Sequence, residues 1–282
     1  MRQILANYGF LNTKLTKFTP AKSKILISHN ECPADGPEGD ADRAFMAGKP
    51  FREAVGDLLW VCRIYRYDIA HAVNALSRVA HNPGPKHWEA LCHVLKYLDH
   101  TKHFRLTYTR QPGYEAPQTK VFSDSDWAPK YGNDYDDHRS TTGSISSVSG
   151  NAVHWRSRRQ QRLALSSNEA EYYAAAEAAK DAVYIGRLSK SIAHDQTVCN
   201  IPQMFLDSKT AKQCAENPCD NEKQRHISLR AHFIRELVSN KDLEIFHIPG
   251  ADNPADQLTK PLGETKFSQH RAYHKLRPGP GS

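Results

Sequence analysis

Four acidic side chains stand where strands end or helices begin, and together they could hold divalent cations. Asp124 lies in Val121-Phe122-Ser123-Asp124-Ser125-Asp126-Trp127, and Glu169 in Ser166-Ser167-Asn168-Glu169-Ala170-Glu171-Tyr172. Asp207 closes Met204-Phe205-Leu206-Asp207, and Asp256 follows Pro249-Gly250-Ala251-Asp252-Asn253-Pro254-Ala255. Two unit charges about 4 Å apart repel by roughly 4 kcal/mol at an effective dielectric near 20, so a converged cluster must bind cations or take up protons. Hard oxygen ligands select Mg²⁺, with Mn²⁺ as a substitute. Two such ions about 3.5–4 Å apart can activate a water and stabilise a leaving oxygen in phosphodiester hydrolysis.

Each acid also has an ordinary structural role open to it. Asp126 shares a strand face with Asp124, because side chains alternate with period two, so spacing does not choose between them. Glu169 stands three residues after Ser166, the spacing of a helix capping box. Asp207 could cap the helix after it, and Asp256 could favour a helix N-terminus electrostatically.

The elements that must carry these acids are read from periodicity. Strands are expected at 120–126, 140–149 and 152–157, the last two joined as a hairpin through Ser149-Gly150-Asn151. A long Ala-rich helix follows over 169–192, then a strand at 203–207, helices at 208–217 and 227–238, a strand at 243–248 and a short helix from Asn253. Antiparallel strands followed by strand–helix alternation predict an α/β fold with helices on the faces of a mixed sheet. Upstream, Val55, Leu58, Leu59 and Cys62, then Ala72, Val73, Leu76, Val79 and Ala80, then Trp88, Leu91, Cys92, Leu95 and Leu98 recur at helical spacing, predicting a three-helix module. The Pro- and Gly-rich stretch 32–40 and the linker 111–117 divide the chain. The expected organisation is a weakly ordered segment 1–49, a helical region 50–110, an α/β domain 119–262 and a tail 263–282.

The chain of 282 residues carries a net charge of +7 with a pI near 9.0, a balance that favours polyanionic partners. Arg156, Arg158, Arg159 and Arg162 crowd into seven residues after the hairpin and could grip nucleic-acid phosphates. Six cysteines without a CxxC pair argue against zinc or a disulfide framework. The absence of a long apolar run or signal-like core predicts an intracellular protein with no membrane segment. Trp127 and Trp155 are expected in the core, and His226 and His232 in packing or at the surface.

As an ordered set, these segments resemble the ribonuclease H domain of Ty1/copia-type retrotransposon Pol polyproteins. The resemblance is carried by Phe122 to Ala128, Arg139-Ser140-Thr141-Thr142-Gly143, Leu165 to Tyr172, Leu206-Asp207-Ser208, Arg225-His226-Ile227, His232-Phe233-Ile234-Arg235-Glu236 and Pro254 to Leu262. Pro50 to Gly56, Leu76-Ser77-Arg78, Asn82 to Trp88 and Leu95 to Leu98 resemble the same polyprotein's connection between reverse transcriptase and nuclease. Ser228 and Ala231 depart from the family, which usually has an acid after His-Ile and a Tyr before His-Phe.

The resemblance implies an RNase H-like five-stranded mixed sheet flanked by helices, with Asp124, Glu169, Asp207 and Asp256 as the catalytic, metal-binding acids and Asp126 and Glu171 as neighbours. It further implies a Mg²⁺-dependent endonuclease that hydrolyses the RNA strand of RNA–DNA hybrids with two ions, working beside the polymerase part of a Pol polyprotein in a cytoplasmic virus-like particle or in the nucleus. A catalytically inactive remnant that binds nucleic acid is the alternative. Tyr135-Asp136-Asp137 has the wrong spacing for a polymerase motif, so polymerase activity is not expected.

Overall fold

The computed structural model describes residues 1–22, 27–110, 116–127, 138–192, 200–207 and 225–279, with side chains in the last segment from residue 229. The expected helix 208–217, residues 111–115 of the linker 111–117 and Tyr135-Asp136-Asp137 lie outside the described residues.

A five-stranded mixed sheet organises the fold, built from β2 (Thr119–Asp126), β3 (Thr141–Val148), β4 (Asn151–Arg159), β5 (Gln203–Leu206) and β6 (Glu244–His247) in the order β4-β3-β2-β5-β6. β2 pairs antiparallel with β3 and parallel with β5, so it is central. Its alternation serves two cores: Val121 and Phe122 are both fully buried, yet they point into different apolar clusters. The β3–β4 hairpin turns through Ser149 and Gly150, both at positive φ (46° and 74°), the handedness that matches strand twist in a two-residue loop. These elements realise the α/β fold with a five-stranded mixed sheet expected from the sequence.

One face of the sheet is covered by α6 (Ser167–Ile192) and α7 (Arg225–Ser239). Ala175, Ala178, Ala179 and Ala182 put small side chains against Val121, Met204 and Leu206, and Ile234 and Leu237 close the cluster from α7. Alanine both favours the helix and permits close approach to the sheet.

The other face is covered by the helical module: α3 (Phe51–Ile64), α4 (Ala70–Arg78) and α5 (Pro85–His100). Leu58, Leu76, Leu91, Leu95 and Leu98 share one continuous core with Phe122, Ile145, Ala152, Leu258 and Phe267. Trp155 bridges the two parts, donating from Nε1 to the Cys62 carbonyl at 2.6 Å. Trp127, expected in the core, is instead 41% exposed.

The segment before Pro50 is more ordered than expected. It holds α1 (Arg2–Asn7) and α2 (Asp40–Met46), and Leu5 is fully buried in the shared core. Asp99 on α5 fixes the following turn by accepting from the Asn12 and Thr13 amides at 2.9 and 2.7 Å. The segment after Leu262 is likewise structural. It forms α8 (Glu264–Tyr273) and β7 (Leu276–Pro278), and β7 pairs antiparallel with β1 (Phe104–Leu106) beside the helical module. Low hydrophobicity and Pro/Gly content hid both segments, whose order comes from packing rather than from local periodicity.

A buried polar knot ties module to C-terminus. Arg66 and Asp68 pair through two parallel hydrogen bonds of 2.9 and 2.8 Å, and both side chains are buried. Thr101 accepts from Arg66 at 2.7 Å, Tyr97 donates to Asp68, and Arg271 on α8 donates to Tyr97 at 3.0 Å. Burial works against the Arg66 charge, but Asp68 more than offsets it and lifts the guanidinium pKa above its ordinary value.

Candidate metal centre and nucleic-acid face

The acids converge at one end of the central strands. β2 delivers Asp124 and β5 runs parallel beside it, so Asp207, just past Leu206, reaches the same edge. α6 crosses that edge and contributes a glutamate. Ligand oxygens of Asp124, Glu171 and Asp207 all lie within 4.8 Å of one another. Ser125 holds Glu171 in place by donating to Oε1 at 2.9 Å.

The glutamate in the cluster is Glu171, which corrects the sequence assignment to Glu169. Glu169 Oε2 accepts from the Leu165 amide at 2.7 Å, while its own amide donates to Ser166 Oγ at 3.1 Å. Its carboxylate is therefore turned back on the start of α6, a variant of the capping box its spacing had allowed in which the Leu165 amide replaces the Ser166 amide as donor. Asp126 stays a neighbour at the end of β2.

Asp256 arrives from a 3₁₀ turn, Pro254–Leu258, capped by Asn253, whose side-chain oxygen accepts from the Ala255 amide at 3.1 Å. Asn253 also donates to the Ser123 carbonyl at 2.9 Å, pinning the turn to β2. Gly143 faces Asp124 across the β2–β3 pair and makes this approach possible. A Cβ there would sit 2.6 Å from Thr259 Cγ2 and 2.9 Å from the Ala255 carbonyl. Thr259 in turn donates to Asp124 Oδ2.

The charges behave as a crowded anionic cluster should. Burial and then Asp256 push the Asp124 carboxyl up to about 8, partly opposed by Lys260. Burial and the neighbouring acids also raise Glu171 and Asp207, and burial raises Asp126. Asp256 differs: burial opposes its charge, but Lys260 and Lys266 outweigh that and hold it below the usual carboxylate range. Lys260 Nζ is 2.7 Å from Asp256 Oδ1, and Lys266 Nζ contacts Oδ2. Asp124, Glu171 and Asp207 supply an all-oxygen donor set whose raised pKa values mark charge left unmatched, which a bound hard divalent ion would relieve, so the residues fit Mg²⁺ or Mn²⁺.

The four arginines named from the sequence do not act alike. Arg156 is committed to α6, at 3.1 Å from Glu177 and 2.9 Å from Asp181. Arg158, Arg159 and Arg162 line a concavity of about 280 Å³ that Arg156 and its partner Glu177 also border, together with Thr142, Gln160, Gln161 and Tyr173. Arg230 on α7 joins them with its guanidinium 3.7 Å from the centre of the Tyr173 ring. Sequence reasoning missed Arg230, since nothing in its local pattern links α7 to the end of β4. His232 lies exposed on α7, as expected of a surface residue. Among the described residues no helix is long and apolar enough to cross a membrane.

No protein-family model matches the chain. Among curated proteins, it is 34% identical over 267 residues to the retrovirus-related Pol polyprotein from transposon TNT 1-94 of Nicotiana tabacum, covering 95% of this chain and 19% of that protein. It is 32% identical over 217 residues to the corresponding polyprotein from transposon RE2 of Arabidopsis thaliana, covering 77% of this chain and 14% of that protein. It is also 40% identical over 142 residues to secreted RxLR effector protein 161 of Plasmopara viticola, covering 50% of this chain and 94% of that protein. The chain thus spans less than a fifth of the length of the two Pol polyproteins. Among solved structures, it is similar to RNase H1 from Halobacterium salinarum at TM-score 0.37 and 20% identity, over 50% of this chain and 94% of that one. LC11-RNase H1 in complex with RNA/DNA hybrid gives TM-score 0.35 and 18% identity, over 50% of this chain and 93% of that one. The relationship to the polyproteins extends through the helical module as well as the sheet, and the chain belongs to the Pol polyprotein family of copia-type retrotransposons.

Proposed function

We propose that this chain is a Mg²⁺-dependent ribonuclease H-type endonuclease that hydrolyses the RNA strand of RNA–DNA hybrids. The observation that carries the reading is the meeting of Asp124, Glu171 and Asp207, from three separate elements, with ligand oxygens within 4.8 Å of one another. These three residues would hold the cation, Mg²⁺ or Mn²⁺, with Asp256 alongside. Divalent ions bound there would supply a water of lowered pKa and stabilise the negative charge that builds on the leaving 3′-oxygen, with a second ion engaged alongside the substrate phosphate.

The protein groups do the positioning. Ser125 orients Glu171, Thr259 orients Asp124, and the Asn253 cap holds the Asp256 turn against β2. No side-chain nucleophile is needed in this scheme. Arg158, Arg159, Arg162 and Arg230 would contact backbone phosphates of the hybrid, a shape-based grip suited to an A-form-like duplex. Arg156 borders the same concavity, but its pairing with Glu177 and Asp181 would make its main role the fixing of β4 to α6. The family relationship supports a partner in the polymerase part of a Pol polyprotein, and with it a place inside the cell, in virus-like particles or the nucleus.

The test is cleavage of a labelled RNA–DNA hybrid in Mg²⁺, beside duplex RNA and duplex DNA. Hybrid-specific cutting that is lost in Asp124→Asn and Asp207→Asn is the expected result. Binding of the hybrid without cutting would instead identify a retroelement remnant, and cutting of duplex DNA would reassign the substrate.

A further inference from the structure

Asp256 stands beside the metal cluster yet is already matched by positive charge. Lys260 Nζ lies 2.7 Å from Asp256 Oδ1 and 3.9 Å from Asp124 Oδ2, so it sits between the two carboxylates. Its backbone is fixed one turn beyond Asp256, with the Lys260 amide donating to the Asp256 carbonyl at 3.2 Å. Lys266 comes from a different element, the first turn of α8, and contacts Asp256 Oδ2 while donating to the Gly250 carbonyl at 3.1 Å. Asp256 is thereby satisfied on both oxygens, whereas Asp124, Glu171 and Asp207 are left to share one compact ligand set.

We propose that the Lys260 ammonium occupies the second cation position of this site, between Asp124 and Asp256, so that the free protein takes one divalent ion rather than two. The inference rests on the reading of Asp124, Glu171 and Asp207 as the ion-holding set. The geometry favours it on three counts. The ammonium contacts the pair of acids that a second ion would have to bridge. A hydrated divalent ion cannot share that gap with a cation 2.7 Å from one of its ligands. Lys266 keeps Asp256 compensated from the far side, so the carboxylate gains nothing further from an ion unless Lys260 leaves. Lys260 is thus a positioning residue: it holds Asp124 and Asp256 apart in charge until the negative phosphate of a substrate competes for it.

Mn²⁺ titration of the full chain without nucleic acid, followed by calorimetry and by the electron paramagnetic resonance signal of free Mn²⁺, tests this directly. Wild type should bind one ion, Lys260→Arg one, and Lys260→Met two, with the second ion in Lys260→Met at least about tenfold tighter than any second binding in wild type. Lys260→Gln repeats the charge removal if the methionine variant does not fold. Two ions of similar affinity in wild type would overturn the inference, as would a single ion in both neutral variants. Asp207→Asn separates this from the underlying reading. Loss of the first ion there supports that reading whatever Lys260 does, whereas unchanged Mn²⁺ binding would remove its basis and the inference with it.

Discussion

Glu169 and Glu171 differ by two positions on α6, about 200° around a helix, and that rotation decides which one meets Asp124 and Asp207. Glu171 heads the stripe Ala175, Ala178 and Ala182, at steps of four, seven and eleven, which packs on the sheet. Glu169 points back to the Leu165 amide. Glu171→Gln should therefore weaken Mn²⁺ binding and hybrid cleavage by more than about a hundredfold. Glu169→Ala should cost only about 1 kcal/mol of stability, read in a urea melt, and leave Mn²⁺ affinity unchanged. His274 offers a second test at this scale. Its ring is fully buried among Tyr67, Phe122 and Tyr273, and among the described residues neither nitrogen has a hydrogen-bond partner. Burial pulls its pKa down to about 3, while the unfolded chain protonates near 6.5. Between those values the unfolded state binds the extra proton, so stability falls as pH drops through that window, by roughly 1 kcal/mol per pH unit. His274→Phe should flatten that part of the stability-versus-pH curve and leave the curve above pH 7 nearly parallel to wild type. Asp124 and Asp207 could be read from strand ends and motif order. The choice between two glutamates could not, because motif position outweighed the capping-box spacing that described Glu169 correctly.

At the scale of elements, the close approach of the Pro254–Leu258 turn to β3 sets where Asp256 and Thr259 sit. Gly143→Ala would drive a Cβ into Thr259 Cγ2 and the Ala255 carbonyl, and the carbonyl cannot yield as a side-chain tip can. The expected loss is about 1–3 kcal/mol in a denaturant melt, accompanied by weaker Mn²⁺ binding because Thr259 no longer orients Asp124. The buried Arg66–Asp68 pair makes the corresponding prediction for the helical module. Asp68→Ala strands a fully buried guanidinium and should cost about 3–5 kcal/mol by the same measurement, with Arg66 and Tyr97 losing the acceptor they share. The sheet strands, α3 to α5 and α6 were legible within a few residues because their periodicity is strong. α1, α2, α8 and the β1–β7 ribbon were not, since each is short and is stabilised by distant partners rather than by its own pattern.

Over the whole molecule, one apolar cluster runs from Leu5 through the helical module to the sheet and on to Leu276. The boundary read from composition at 110–119 therefore crosses a continuous interior. Linker chemistry marks where a chain bends, whereas a separable unit also requires that few buried contacts cross the boundary. A fragment holding 116–282 alone would expose Phe122, Ile145, Phe205 and Phe267 to water and should be recovered mainly as aggregate. Supplying residues 1–110 as a second polypeptide should restore it. Two pieces that meet across an interior of this kind can find each other without a peptide bond, and co-expression should yield a soluble one-to-one complex by sedimentation. If the larger piece proves soluble and monomeric by itself, the helices are only loosely attached. If instead it needs its partner, this chain is a natural substrate for split-protein design, in which the folded molecule assembles only where its two halves are brought together.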